Sequence, residues 1–524
     1  MKRFRFPQLL ATIAIFSLIL ACGYESALGQ TLPRKLPSAE KIIDNYLKAI
    51  GGKKAVAGIR DTTYDFTIQV NDQPFGTARV QTKIPASERW EMTFGNGQII
   101  SATNSGSAWE RGLNGQLRTL TGAEAAAAKL RGVLSASRLL NIRKSNVLAR
   151  VISVGDLGSE PAYIVEFSTR SGARLQYYFS VKTGLITKIT DDARKNRIFF
   201  EDYKRNKGVL EPNRVRLSLD SGEIALHLQT VAYDTGVAKG IFDPPAASET
   251  LDVVSLLREV GRNQNELEQR VSEYAFRQKE TDREINSKGE IKKETTKVYE
   301  VFPIPNREPV LKLISENGVE LSGERAAREG KRVLEELEKA EREREKDKRE
   351  AERKKAEQAK KQEAKKDEED PGISQFLRAC EFVSPRREQF NGREAVVFDF
   401  RPRPGFRPTN RSESLIAKLV GVVWIDPLDK QVMRLEARLA EGFKIGGGLL
   451  VSLKPGAAMV MEQTRMNEGV WLPRLAQVNL SIKILLFGGG DLNKTLEWSD
   501  YRHFSGDVKD YKLDSPKTDD SKKP

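Results

Sequence analysis

The chain has 524 residues, of which 39 % are apolar and 31 % charged, and this length predicts more than one folded domain. Two histidines leave very few residues for a histidine-based metal site or a Ser-His-Asp triad. The formal net charge of +14 suits nucleic acid, anionic membranes or acidic partners, and the cellular address decides among them.

The N-terminus has the pattern of a secretory leader. Lys2, Arg3 and Arg5 precede an apolar run over residues 9–21, which is too short for a confident membrane span. We therefore expect export across the inner membrane to the periplasm, which removes nucleic acid from the expected partners. The mature chain would be soluble or lipid-anchored.

Two cleavage sites compete in this leader. Ile19-Leu20-Ala21-Cys22 resembles a bacterial lipobox, which would make residues 1–21 a lipoprotein signal and Cys22 an acylated outer-membrane anchor. Ala27-Leu28-Gly29 instead offers a small-x-small site, which would make residues 1–29 an ordinary signal peptide. A third interpretation gives Cys22 no role. The other cysteine, Cys380, then has no disulfide partner in the mature chain.

Residues 30–37 are expected to form a tether, and a first domain is expected over 38–248. Ser38 can cap a helix whose apolar stripe ends before Gly51. Residues with alternating polarity then predict an antiparallel meander, a helix is predicted over 123–140, and further strands follow.

Residues 251–512 are predicted to repeat this order of elements as a second domain. A helix is expected over 251–271, and Gly469-Val470-Trp471-Leu472-Pro473 echoes Gly208-Val209-Leu210-Glu211-Pro212. The predicted fold class is α+β: two tandem domains, each an open curved antiparallel sheet, or half-barrel, covered by helices. Residues 513–524 are expected to be a disordered tail.

Residues 323–370 are almost wholly Glu, Lys, Arg and Ala. Opposite charges at i, i+3 and i+4 spacings predict a long solvated helix inserted in the second domain. It could serve as a rigid arm or as a basic handle for anionic lipid or cell-wall polymer. The alternative is a solvated insertion without a role.

No sequence motif predicts an enzyme. The sequence has no His-Glu-x-x-His, no Gly-x-Ser-x-Gly and no phosphate-binding loop. The triple glycines at 446–448 and 488–490 lack the lysine and Ser/Thr that hold phosphate, so they are interpreted as turns. No cofactor, metal site or catalytic residue is predicted.

In the first half, Pro85-Ala86-Ser87-Glu88-Arg89-Trp90-Glu91 resembles the P-x-x-F-R-W-E strand of the LolA/LolB family of lipoprotein carriers, with Glu88 in place of the aromatic residue. Ile99-Ile100-Ser101 with Gly106 and Trp109 resembles its I-V-S-D-G-x-x-L-W step. Thr183-Gly184-Leu185-Ile186 and the segment Gly208–Pro212 resemble two later motifs, so that the resemblance spans about residues 38–246.

This resemblance implies an apolar hollow that binds lipid or lipoprotein acyl chains, in a role such as lipoprotein sorting or carriage. Arg89 matches a family arginine near the hollow, and its alternative is a surface salt bridge. The residues implied as lining are Tyr64, Phe66, Ile68, Arg89, Trp90, Met92, Phe94 and Trp109, whose alternative role is simple core packing. An anionic membrane surface is a further possible partner, and the oligomeric state is left open. The rival hypothesis is a structural or stress-sensing envelope protein with filled cores.

Overall fold

The computed structural model describes residues 36–157, 160–219, 222–249, 251–271, 273–286, 291–304, 308–358, 371–445, 451–466, 469–484 and 488–503. The predicted signal peptide, Cys22, most of the tether and the predicted tail lie outside the described residues. The last twelve residues of the predicted charged insertion, 359–370, do so too.

The first half of the chain forms one antiparallel sheet of thirteen strands. The strands are β1 Asp61–Val70, β2 Gln73–Lys83, β3 Ser87–Phe94, β4 Gly97–Thr103, β5 Ala108–Arg111, β6 Leu117–Thr119, β7 Leu148–Leu157, β8 Glu160–Ser168, β9 Arg174–Ser180, β10 Ile186–Asp191, β11 Asn196–Asn206, β12 Val209–Leu219 and β13 Gly222–Tyr233. The order is β6-β5-β4-β3-β2-β1-β13-β12-β11-β10-β9-β8-β7, so the first strand pairs with the last and the open edges are β6 and β7.

Helices cover part of the concave face of this first sheet. They are α1 Ala39–Ala49, α2 Lys53–Ala57 and α3 Gly122–Ser137, with short 3₁₀ turns at Ile142–Ser145 and Lys239–Phe242. The Ser38 side chain accepts a hydrogen bond from the Lys41 amide and caps α1. Leu47 on α1 and Leu130 on α3 pack against Phe167 and Phe179 on β8 and β9, so the first core lies between these helices and the β7–β10 side of the sheet.

Ion pairs show how strongly the first sheet curls. Strands β5 and β10 are eight positions apart in the strand order, which would separate them by about 38 Å in a flat sheet. Yet Arg194, in the turn after β10, places Nη2 2.6 Å from Oε2 of Glu110 on β5. The sheet therefore bends into a half-barrel. In the sequence, helix α3 lies between the two edge strands, β6 and β7. It contacts both sides of the half-barrel, because Arg131 pairs with Glu88 on β3 at 2.7 Å and lies 3.8 Å from Asp191 on β10.

The second half forms another sheet with thirteen strands among the described residues. The strands are β14 Tyr274–Ile285, β15 Ile291–Phe302, β16 Val310–Glu316, β17 Val319–Glu320, β18 Cys380–Phe390, β19 Arg393–Pro402, β20 Leu419–Asp426, β21 Gln431–Leu439, β22 Phe443–Ile445, β23 Val451–Leu453, β24 Ala458–Arg465, β25 Trp471–Ile484 and β26 Gly488–His503. Its helices are α4 Val253–Val271, α5 Gly323–Gln358, α6 Pro371–Ala379 and α7 Arg411–Ile416.

The two sheets follow one plan. In the second sheet the first strand, β14, again pairs with the last, β26. The edges β17 and β18 are again separated in sequence by helices, here α5 and α6. This confirms the predicted fold class: α+β, with two successive open antiparallel sheets, helices over them, and a charged helix inserted in the second.

Among its described side chains, helix α5 packs on the second sheet through its first four turns. Val333 and Leu337 are buried at 1 % and 4 % exposure and pack with Phe302 and Val310 of the second sheet, whereas Leu334 is 42 % exposed. The role of the charged segment that follows stays a prediction.

A buried polar network joins the two halves. Arg386 on β18 donates to Glu388 at 2.7 Å and to Asp399 on β19 at 3.0 Å. From the first half, the Thr119 amide donates to Glu388 at 2.7 Å, and Ser107 donates to Asp399 at 2.5 Å. Because unpaired buried charges are costly, these pairings favour one arrangement of the halves.

Candidate functional site

Six of the eight predicted site residues lie on one face of the first sheet. Tyr64 on β1 lies opposite Val80 on β2, which lies opposite Trp90 on β3. The next two rows along the strands are Phe66–Ala78–Met92 and Ile68–Gly76–Phe94. Directly opposed residues share a face, so the strand alternation brings all six together.

These residues belong to an apolar cluster built from strands alone, here named the apolar face. Its buried members are Phe66, Ile68, Ala78, Val80, Val215, Leu217 and Leu226, and its half-buried members are Tyr64, Trp90, Met92, Phe94, Ile198, Phe200, Ile224 and Leu228. Ile198 lies opposite Ile189 on β10, which lies opposite Tyr177 on β9 in the helix-packed core. The apolar face is therefore one part of the concave side of the half-barrel. None of the residues in its cluster lies on a helix.

Small residues form the middle of the apolar face. Gly76 lies between Ile68 and Phe94, and a Cβ there would lie 2.3 Å from the Thr93 carbonyl oxygen and 3.2 Å from the Phe94 ring. A side chain at Gly76 would therefore clash with the backbone of β3 and press against the ring. Gly76 thus lets the Phe94 ring pack closely over β2, beside Ala78 on the same face.

The apolar face continues to an exposed rim at the hairpin tips. Phe75 is 57 % exposed, and its ring centroid lies 5.6 Å from that of Phe94. Leu113 is 45 % exposed and lies next to Gly97, the residue opposite Phe94. Large apolar side chains are thus exposed beside a half-buried apolar surface, a feature typical of binding surfaces.

A buried ion pair closes the other end of the apolar face. Arg138 lies 2.9 Å from Glu211 and donates to the Tyr64 hydroxyl at 2.8 Å. Tyr233 donates to Glu211 at 2.6 Å. Burial raises the pKa of Tyr64 well above its usual value, so its hydroxyl stays protonated. Burial by itself would lower the pKa of Arg138, but the neighbouring tyrosines and Glu211 raise it, so the guanidinium stays charged.

Sequence reasoning missed this pair. Arg138 ends α3 in a left-handed conformation, and Glu211 begins the strand that follows Gly208. Glu211 itself was the one indication in the sequence, because it is a charged residue in a motif that otherwise predicts the start of an apolar strand.

Arg89 and Trp109 do not line the apolar face, which corrects the implied site. Arg89 Nη1 donates to the Ile241 carbonyl at 3.2 Å, and Trp109 Nε1 donates to the Phe242 carbonyl at 2.9 Å. Arg89 follows Glu88 and precedes Trp90, so alternation along β3 directs it to the convex side. There its guanidinium lies 5.8 Å from the Trp109 ring, under the 3₁₀ turn that follows β13.

The corresponding concave face of the second sheet places charged residues beside apolar ones. Leu435, packed in the core beneath α4 and α6, begins a row of opposed residues that runs through Met461, Ala476 and Leu496 to Glu280 on β14. Glu280 pairs with Lys494 on β26, and Asp282 lies 3.7 Å from the same lysine. Carboxylates and an ammonium group therefore occupy strands whose counterparts in the first sheet are apolar.

The described residues contain no group of three or more His, Cys, Asp or Glu side chains placed to hold a metal ion. None of their helices has the length and hydropathy needed to cross a membrane.

No protein-family model matches the chain, and no curated protein matches it either. Among solved structures, a LolA superfamily protein from Nitrosomonas europaea matches 40 % of this chain and 98 % of its own, at 13 % identity and a TM-score of 0.28. A DUF1329 family protein from Desulfovibrio piger matches 39 % of this chain and 97 % of its own, at 14 % identity and a TM-score of 0.27.

MucB in complex with MucA(peri) matches 89 % of this chain and 99 % of its own, at 8 % identity and a TM-score of 0.16. At such identities and scores these likenesses decide nothing about activity or partners.

Proposed function

We propose that this chain is an exported envelope protein that binds acyl chains of lipids or lipoproteins on the apolar face of its first sheet. The observation that carries the proposal is a concave apolar surface, built from strands alone and continuous with an exposed apolar rim. Binding would remove both the ligand and the rim from water.

The energetics suit a hydrocarbon ligand. Each methylene taken out of water contributes about 0.8 kcal/mol. Trp90, Met92 and Phe94 on β3 are half-buried, which leaves part of their apolar surface open to such a ligand. Met92 has a flexible thioether side chain that adapts to different ligand shapes.

The cellular setting belongs to the same proposal. The leader supports a periplasmic address, and the lipobox-like segment supports anchoring to the outer membrane through Cys22. The shared strand plan of the two sheets supports tandem LolA-like domains, and lipoprotein carriage is the role that the motif resemblance favours. We also propose that the chain carries out no catalysis.

Native mass spectrometry with organic extraction tests the proposal. Protein recovered from an exporting bacterial host is expected to carry phospholipid or acylated peptide, and to bind added fatty acid after delipidation. Phe94→Asp is expected to abolish binding because it places a carboxylate on the apolar face. Thr93→Asp, its neighbour on the convex side, is the matched control and should bind normally. A protein that refuses fatty acid in every form would overturn the proposal.

A second candidate is a structural or stress-sensing protein that uses α5 as an arm. It is favoured by one observation: α5 runs to Gln358, well beyond Leu337, which packs on the sheet and is the last large apolar residue in the sequence of the helix. Deleting residues 338–370 would then remove a partner from pull-downs while leaving fatty-acid binding unchanged. A partner retained by the deletion variant would exclude this role for the arm.

A further inference from the structure

The convex side of the first sheet carries a stripe in which aromatic and cationic side chains alternate. Tyr178, Lys188, Phe199 and Arg216 lie directly opposite one another on β9, β10, β11 and β12. Lys188 Nζ lies 4.7 Å from the centroid of the Tyr178 ring, and Arg216 Cζ lies 4.7 Å from that of Phe199. These distances are typical of cation–π contacts, which hold the cations in place.

Cations outnumber carboxylates around this stripe. Arg216 pairs with Glu201 at 2.8 Å and with Glu223 at 3.0 Å, and Arg214 lies 3.8 Å from Glu201. Lys188 and Arg197 have no such partner in the part of the chain that the structure describes. Arg197 lies two residues before Phe199 on the same face of β11, diagonal to Lys188, so the two cations lie within reach of one anion. Burial and this nearby cation together lower the pKa of Lys188. The stripe together with Arg197 and Arg214 is named the basic face.

Two buried nitrogen atoms at the margin of the basic face make no hydrogen bond within the described residues. They are Arg214 Nε, which lies 3.8 Å from Glu201, and Nε2 of His227, the residue opposite Arg214 on β13. Arg214 is therefore only loosely paired with its carboxylate.

We propose that the basic face docks the protein on a membrane surface rich in anionic phospholipid. The charge complementarity is direct, because the guanidinium and ammonium groups would meet lipid phosphates. The half-buried rings of Tyr178 and Phe199 suit the headgroup region, where amphipathic aromatic side chains concentrate.

The shape of the basic face favours a surface over a small anion. Its four opposed residues span three strand spacings, about 14 Å, without forming a cleft. The face also lies on the opposite side of the sheet from the apolar face. The inference therefore does not depend on what the apolar face binds.

Vesicle co-sedimentation at low and high salt tests this inference. The full chain is used on a Cys22→Ser background, so that acylation cannot anchor it. It is expected to bind vesicles that mix phosphatidylglycerol with phosphatidylcholine, to release them as salt rises, and to ignore pure phosphatidylcholine. Reversing both unpaired cations, Lys188→Glu with Arg197→Glu, is expected to weaken binding by on the order of tenfold or more.

Two controls make the outcome specific. Lys48→Glu with Lys144→Glu changes the net charge equally at exposed lysines outside the basic face and should leave vesicle binding within about twofold. Phe94→Asp should bind vesicles normally even where it loses fatty acid, which separates this inference from the proposed function. Equal losses in both double variants, or retention of an acidic polymer in place of vesicles, would overturn the proposal.

Discussion

The two concave faces of this chain differ in chemistry although their sheets share a strand plan. On the first sheet, β1 contributes Phe66 and Ile68, at 6 % and 0 % exposure. On the second sheet, β14 takes the same place and contributes Glu280 and Asp282 around Lys494. The order of the strands alone therefore does not create a lipid-binding site. The side chains that alternation places on the concave side decide whether the half-barrel can accept an acyl chain.

The difference follows from the cost of desolvating charge. An acyl chain laid across Glu280 and Lys494 would take both groups out of water with no new partner. The second concave face keeps its charges half-buried and paired. In the first sheet the buried pair Arg138–Glu211 lies at one end of the apolar face, whose own members are all uncharged.

The largest expected effect comes from breaking the buried pair. Arg138→Met leaves Glu211 in the protein interior without a cation and should lower the free energy of unfolding by about 3–5 kcal/mol. The matched change in the second sheet, Lys494→Met, affects a lysine that is 33 % exposed and should cost about 0–1 kcal/mol. Urea unfolding of both variants checks this. Similar losses in the free energy of unfolding would contradict the contrast between the two concave faces.

Converting the second concave face should add a binding site. Glu280→Leu, Asp282→Leu and Lys494→Leu together replace the charged cluster by apolar side chains, so we expect a second fatty acid to bind each chain. The control replaces the exposed pair Lys279 and Glu497 by leucine, which should leave the stoichiometry unchanged. A folded triple variant that gains no ligand would show that another feature of the first sheet is required.

A smaller effect concerns acid sensitivity of the second half. Glu413 accepts hydrogen bonds from the Thr409 amide and from Arg378, and these lower its pKa to about 2. A carboxyl with a lowered pKa stabilises the fold above its unfolded value of 4.5, and this stabilisation is lost as the pH falls towards 2.

Glu413→Gln should therefore be less stable than the parent protein at pH 6, with the difference shrinking near pH 3. Denaturant midpoints at the two pH values measure it. A constant difference between them would assign the effect to packing instead of charge.

Much of the fold follows from alternation in the sequence. Tyr64, Phe66 and Ile68 alternate with polar residues, and the structure places them on one face with Trp90, Met92 and Phe94. The same rule would have separated Arg89 from Trp90, but the motif resemblance grouped them. Alternation predicted the face of the sheet on which Arg89 lies better than the motif resemblance did, because successive side chains of a strand point to opposite faces.

Contacts between distant segments could not be predicted. Arg138 meets Glu211, and Thr119 meets Glu388, only because particular strand registers and one arrangement of the two sheets bring them together. A sequence without known registers contains no signal for such pairs. The charged concave face of the second sheet was accessible in principle, since Gln278, Glu280 and Asp282 alternate along one strand.

The most direct test of the central claim is native mass spectrometry of the delipidated protein with a fatty acid. Each chain should bind one fatty acid, which is lost in Phe94→Asp on the first concave face and kept in Leu496→Asp on the second. Binding that survives Phe94→Asp, or that disappears in Leu496→Asp instead, would contradict the assignment of the site to the first sheet.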